Sequence, residues 1–246
     1  MIKTDILIIG AGPTGLFTVF EAGLLKMKCH ILDSLTQPGG QCIELYPKKP
    51  IYDIPGYPEI IAGDLIENLL EQIKPFQPSY TLGETALNLD KLDDGSFKVT
   101  TDKGTEILAK IIAIAGGLGT FTPRKPNISN ISDYENKGIL YMIKDPSEFK
   151  DKKVVIAGGG DSALDWSIQL SKISKKVILI HRRNEFRGAD DSVASVQKLK
   201  DLGKIDVITP AQVEKLNGKS RLESIIIDVD GNKSKIETDY FIPLFG

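Results

Sequence analysis

The sequence predicts an α/β protein built from two copies of one three-layer ββα module, and three observations carry that prediction. A short β-branched run, Ile6-Leu7-Ile8-Ile9, leads into Gly10-Ala11-Gly12-Pro13-Thr14-Gly15 and then into a helical pattern. The same order recurs at Lys153-Val154-Val155-Ile156-Ala157, followed by Gly158-Gly159-Gly160-Asp161-Ser162-Ala163 and a second helical stretch. A strand-like run follows each helix, Cys29 to Leu32 and Lys176 to Ile180, as a βαβ unit requires. Strand, glycine turn, helix and strand in that order define two Rossmann-like modules.

Each residue of the first turn has a mechanical reason. Gly10 permits the sharp exit from the strand, Gly12 lets a pyrophosphate approach the backbone, and Gly15 lets the helix pack closely on the sheet. The helix that follows is expected to bury Leu16, Phe20, Gly23 and Leu24. Its N-terminus offers free N–H groups and partial positive charge to an anion. The second strand ends at Asp33, 23 positions after Gly10, where a ribose 2′-hydroxyl is normally gripped.

Composition narrows the chemistry. With 246 residues, 41% of them hydrophobic and 26% charged, the chain suits one large or two small globular domains. A formal charge of −2 gives no electrostatic footprint for nucleic acid or an anionic membrane. No apolar run has the length of a membrane span, and a strand begins almost at once, so no leader peptide is expected. Two cysteines, Cys29 and Cys42, make no disulfide framework and suggest a reducing, cytoplasmic setting. With His30 and His181 as the only histidines, no metal site is expected, and demanding chemistry falls to an organic cofactor.

Along the chain, residues 36–63 read as a functional loop carrying Gly39-Gly40-Gln41 and an aromatic-proline run from Tyr52 to Pro58. A helix is expected from Asp64 to Lys74, with Leu65, Leu69, Leu70 and Ile73 inward and Pro75 as its stop. Ser96–Thr101 and Thr105–Leu108 form a hairpin around Asp102-Lys103-Gly104, and residues 110–115 form a separate buried strand. In the second copy, a helix runs from Asp161 to Ile173 with Ala163, Trp166, Leu170 and Ile173 on one face. A hairpin turns at Asp230-Gly231-Asn232, and Tyr240–Leu244 matches the strand at 111–115. The modules span roughly 1–115 and 152–246, and the segment between them, with Pro123, Pro126 and Pro146, is the expected hinge.

The copies differ where a ribose would lie. At the same offset from Gly158 stands His181, followed by Arg182 and Arg183, with Arg187 four residues beyond Arg183. A carboxylate accepts hydrogen bonds from a free 2′-hydroxyl and repels a 2′-phosphate, whereas arginines bind that phosphate. The first module therefore suits FAD or NAD, and the second NADPH. Hydride leaving a nicotinamide needs a different acceptor, which favours FAD in the first. Gln41 and Tyr46 are candidates for the polar edge and the face of its ring.

The chain resembles the low-molecular-weight, thioredoxin-reductase-like flavoproteins of the pyridine nucleotide-disulfide oxidoreductase superfamily. Within them it is most similar to the ferredoxin–NADP⁺ reductases. The resemblance lies in Gly10 to Gly15, Gly39-Gly40-Gln41, Tyr52 to Pro58, Ala115 to Arg124, Lys144-Asp145-Pro146, Gly158 to Ala163 with Asp165-Trp166, His181-Arg182-Arg183 and Phe186-Arg187. It implies FAD contacts at Gly10, Gly12, Pro13, Thr14, Gly15, Asp33, Gly40, Gln41 and Tyr46, with Ala86 and Phe121 lining the pocket. It implies NADPH contacts at Gly158, Gly160, Asp161, Ser162, Ala163, His181, Arg182, Arg183 and Arg187. Residues 1–117 would then bind FAD and 118–246 NADPH, in a homodimer whose modules rotate against each other and pass electrons to ferredoxin or flavodoxin.

Two departures stand out. Disulfide reductases of the superfamily carry a Cys-x-x-Cys just before the second glycine turn, where Gly138 to Pro146 contains no cysteine. Cys29 and Cys42, 13 positions apart, read as structural thiols. The C-terminal part of the FAD domain, which in the family follows the NADPH domain, is missing, so weak FAD retention is expected. A disulfide reductase, a quinone- or dye-reducing diaphorase and a nucleotide-binding fragment without activity remain as alternatives.

Overall fold

The computed structural model describes residues 1–119 and 124–245. The chain divides into two compact units, Met1–Phe121 and Thr122–Gly246. In the first, β1 (Ile2–Ile9), α1 (Pro13–Leu24) and β2 (Cys29–Asp33) make the opening βαβ unit. A short helix α2 (Gln41–Glu44) and a two-strand ribbon, β3 (Pro50–Ile51) with β4 (Ile60–Ile61), precede α3 (Ala62–Ile73). After α3 come β5 (Ser79–Leu82), β6 (Ala86–Lys91), β7 (Phe97–Thr101) and β8 (Glu106–Ile114). The sheet order is β5-β2-β1-β8-β7-β6, parallel through β8 and antiparallel beyond it.

The alternation of β1 explains its layers. Ile6 and Ile8 face the helices and pack with Leu16, Val19, Ile31, Ile66 and Ile73. Leu7 points the other way and packs with Leu32, Val99, Ile107 and Ala109. Central parallel strands bury both faces, so their residues read as unbroken apolar runs.

The second unit repeats this plan. It contains β9 (Lys153–Ala157), α4 (Asp161–Leu170), β10 (Lys176–Ile180), α5 (Asp190–Asp201) and β11 (Ile205–Ile208). Next come β12 (Gln212–Gly218), β13 (Leu222–Val229), β14 (Asn232–Glu237) and β15 (Tyr240–Pro243). The parallel order is β11-β10-β9-β15, and β12-β13-β14 form a separate antiparallel sheet. Strand for strand, β11, β10, β9 and β15 correspond to β5, β2, β1 and β8. Asp230 and Gly231 both have positive φ, 50° and 84°, as a two-residue hairpin turn of matching twist demands. Asn232, expected in that turn, already belongs to β14.

The structure corrects several local expectations. Leu24 is 58% exposed, and the buried face of α1 runs through Leu16, Val19, Ala22 and Gly23. The strands expected at 105–108 and 110–115 are one strand, β8, which carries Lys110 outward to an ion pair with Asp5 at 2.8 Å. The functional loop at 36–63 contains α2 and the β3–β4 ribbon, and α3 starts at Ala62. Leu69 and Leu70 are only partly buried, while Ile66 is fully buried. α4 ends at Leu170, leaving Ile173 beyond the helix and 36% exposed.

The expected hinge contributes side chains to the core of the second unit. Ile128, Tyr134, Ile139, Ile143 and Phe149 are buried, and the first three pack with Val155, Leu216, Leu222 and Phe241. Backbone bonds from Leu140 N–H to the Phe241 carbonyl and from Phe241 N–H to the Gly138 carbonyl lay this segment beside β15. A segment with so many apolar side chains is more stable packed than swinging in water. Ile139→Ala is therefore expected to destabilise the second unit by about 2–4 kcal/mol. The measurement is urea unfolding followed by fluorescence of Trp166, the single tryptophan. A change below about 0.5 kcal/mol would return the segment to a surface linker.

Candidate nucleotide-binding sites

Both sites form where the carboxyl end of a central strand meets a helix N-terminus. At Gly10, φ is +111° and a Cβ would collide with the Ala115 carbonyl, so the β1–α1 turn admits no side chain at its first position. A Cβ on Gly15 would strike the Gly10 carbonyl, which holds α1 close to the sheet. Pro13 occupies the first helical turn, where its missing N–H is harmless, and Thr14 beside it is exposed. No side chain caps α1, and its first turn contains no acid.

The rest of the predicted first site gathers around this turn. Gly39 N–H donates to the Ala11 carbonyl at 2.9 Å, and the Gly40 α-carbon lies so near Gly12 that a Cβ there would come within 2.9 Å of it. Above Gly12 itself the nearest atom to a built Cβ is 3.9 Å away, leaving open the face a phosphate would approach. Gln41 begins α2, with its Nε2 3.6 Å from the Cβ position of Gly117. Asp33 is buried at the end of β2: Oδ2 accepts the Ala11 N–H at 2.5 Å and Oδ1 the Leu35 N–H at 2.8 Å. A carboxylate has about four acceptor positions, so each oxygen retains one for a hydroxyl. Gly83 and Glu84 donate to the Leu35 and Asp33 carbonyls, which brings the chain to Ala86 at the head of β6. Ala86 is half-buried on the sheet face opposite the helices. Phe121 lies outside the described residues.

Tyr46 is packed against the helix-side core and bonded to Cys42, not laid on the surface. Burial first, then the neighbouring Cys42 and Asp53, pushes its phenol up to about 12. Burial likewise raises the Cys29 and Cys42 thiols above their ordinary range, which opposes nucleophilic use of either.

The second site repeats the geometry with different chemistry. A Cβ on Gly158 would lie 2.5 Å from the Leu244 carbonyl, the counterpart of Gly10 against Ala115. Ala163 fits where the first unit requires Gly15, with its Cβ turned toward Gly158. A Cβ on Gly160 would meet nothing within 4 Å, so this cradle is open as well. α4 has no side-chain cap, and Asp161 and Ser162 are exposed in its first turn.

Beyond β10 the structure separates the predicted basic group. Arg182, Arg183 and Arg187 are exposed. His181 is 6% exposed, with its ring under Gly159 and stacked on Phe186 at 5.5 Å. Burial, then the charges of Arg187, Arg182 and Arg183, lowers its pKa, against a weaker opposing pull from the Glu185 backbone. The ring is therefore neutral near pH 7, and the arginines supply the positive charge. Its Nε2 is buried without a hydrogen-bond partner among the described residues. The sequence reading missed the loop's far end: Arg187 N–H donates to the Gly159 carbonyl, and Ala189 N–H to Asp161 Oδ1, both at 2.7 Å. Gly188 next to the acidic start of α5 was the available signal.

The sites yield one pH prediction. Because the folded Tyr46 pKa lies above its unfolded value, the neutral phenol contributes stability fully present below about pH 10 and lost as pH rises toward 12. Tyr46→Phe should remove one phenol ionising near pH 12 and flatten that loss. Spectrophotometric titration and urea unfolding of both proteins measure this, and a Tyr46 ionisation near pH 10 would contradict it.

Comparison with known proteins agrees with this geometry. Residues 4–246 match the family model described as pyridine nucleotide-disulphide oxidoreductase. The chain is 67% identical to a protein of Flavobacterium johnsoniae named ferredoxin–NADP reductase, over all of this chain and 70% of that one. It is 66% identical to a protein of the same name from Flavobacterium psychrophilum, with the same coverage. In fold it is similar to the thioredoxin reductase of T. acidophilum, with a TM-score of 0.84 and 24% identity over 100% of this chain and 78% of that one. Paired glycine cradles and full-length similarity lead to one conclusion: the chain belongs to the pyridine nucleotide-disulphide oxidoreductase family.

Proposed function

We propose that the chain is a ferredoxin–NADP⁺ reductase that passes hydride from NADPH to FAD and electrons on to ferredoxin. The observation that carries this reading is the contrast between two like cradles. One ends at the Asp33 carboxylate and the other at Arg182, Arg183 and Arg187. The relatives named ferredoxin–NADP reductase support the same activity.

FAD, when bound, supplies hydride-accepting and single-electron-donating chemistry that no side chain here offers. The residues present fit it: Gly12 leaves room for a pyrophosphate, the uncapped α1 N-terminus faces that room, and Asp33 retains acceptor positions for a ribose. Residues 1–117 form the FAD-binding domain in this reading, with Gly10, Gly12, Pro13, Thr14, Gly15 and Gly40 around the phosphates. Gln41, Tyr46, Ala86 and Phe121 would border the ring. Residues 118–246 form the NADPH-binding domain. There Gly158, Gly160, Ser162 and Ala163 shape the cradle, and the arginines neutralise the 2′-phosphate. No side-chain acid or base is assigned, and the protein contributes placement and charge.

Flavodoxin is a further electron acceptor in this reading, and the working form is a homodimer in the cytoplasm, where both thiols stay reduced. Among the described residues no helix is long and apolar enough to cross a membrane.

Anaerobic titration of the FAD-loaded protein with NADPH and NADH tests the proposal. NADPH should bleach the flavin preferentially, and ferredoxin should restore its absorbance faster than a quinone. Arg182→Ala with Arg183→Ala should reduce the preference for NADPH by about 100-fold, as loss of two charged hydrogen bonds implies. An unchanged preference would refute the phosphate assignment, and absence of bleaching would refute the reductase reading.

A further inference from the structure

We propose that Asp161 is a positioning residue that latches the arginine loop to the second cradle and so sets preference for a 2′-phosphorylated nucleotide, an inference that rests on the NADPH assignment above. A carboxylate in the first turn of α4 suits the helix dipole but competes with a bound anion for it. It stands where a pyrophosphate would bind. Its use as a direct nucleotide contact, which the sequence reading assigned, would set two anions together. The structure gives it another partner, because Asp161 Oδ1 accepts the Ala189 N–H at 2.7 Å.

That bond closes one end of the segment carrying the three arginines. At the other end, His181 N–H donates to the Ile208 carbonyl at 3.2 Å, and the His181 carbonyl accepts the Ala211 N–H at 2.8 Å. Near the latch, Arg187 N–H reaches the Gly159 carbonyl at 2.7 Å. Gly188 is seated so closely that a Cβ would lie 2.5 Å from Leu164 Cδ1 and 3.1 Å from Asp161 Oδ1. One turn along, Ser192 Oγ donates to Asp165 Oδ1 at 3.1 Å and ties the start of α5 to α4. The arginines therefore extend from a backbone fixed to the end of β11 and the turn after it on one side and to the cradle on the other. Preorganisation of this kind lowers the entropy lost when they close on a phosphate. A nucleotide without the 2′-phosphate does not draw on it.

Two substitutions separate position from charge. Asp161→Ala and Asp161→Asn both remove the negative charge and relieve repulsion of any phosphate to the same degree. Only asparagine retains an oxygen that accepts the Ala189 N–H. The probes are adenosine 2′,5′-bisphosphate and adenosine 5′-monophosphate, titrated calorimetrically into the full chain, with Trp166 fluorescence in urea confirming that each variant folds. The alanine variant should bind the bisphosphate about tenfold more weakly than the asparagine variant, with their monophosphate affinities within about twofold. Equal bisphosphate affinities in the two variants, or an equal loss for both probes, would overturn the latch. A wild-type chain that does not distinguish the probes would overturn the NADPH assignment itself, and the two failures are thereby told apart.

Discussion

The structure depends on a close approach repeated once in each unit. At the carboxyl end of the parallel sheet, the first strand turns away so tightly that its terminal glycine lies against the carbonyl following the fourth strand. Gly10 meets Ala115 in one unit and Gly158 meets Leu244 in the other. Any side chain at either position would force the turn outward, and the following helix would no longer begin beside the strand ends. Much else is then fixed. The helix N-terminus faces open space over Gly12 or Gly160, and the end of the second strand stands beside it.

Because the backbone is shared, the two units differ in what ends the second strand. In the first unit the carboxylate of Asp33 is itself part of the turn, held by the Ala11 and Leu35 N–H groups. Its loss would leave two backbone donors unpaired. In the second unit the corresponding residue, His181, is a neutral buried ring, and the charge has moved to a loop attached at both ends. One unit thus places its charged group in the core, and the other extends charged groups from an anchored surface segment.

The glycine turns and the strands on either side of them were legible in the sequence because buried parallel strands leave unbroken apolar runs and tight turns leave glycine. The less readable parts have identifiable causes. β6 exposes Leu87 and Leu89, so its composition does not reveal which face it buries. β12 is polar and lies at a sheet edge. α5 buries only Val196 and so shows little apolar periodicity, although Asp190 and Asp191 open it and Lys198 and Lys200 close it, as the helix dipole favours. The prolines of the middle segment suggested a hinge, while Ile139, Ile143 and Phe149 in the same stretch were the better guide. At the candidate sites, residue types gave the sign of the charge, but not the burial of His181 or the turn of Asp161 away from the cradle, both of which follow from contacts distant in sequence.

Backbone amide NMR shifts of the full chain on addition of NADP⁺ test the division of labour between the two cradles most directly. The expected result is movement confined to residues 158–163 and 182–189, with the amides of residues 10–15 and of Leu35 unmoved. Shifts around Asp33 and the first glycine turn, with Arg182 and Arg183 undisturbed, would contradict it.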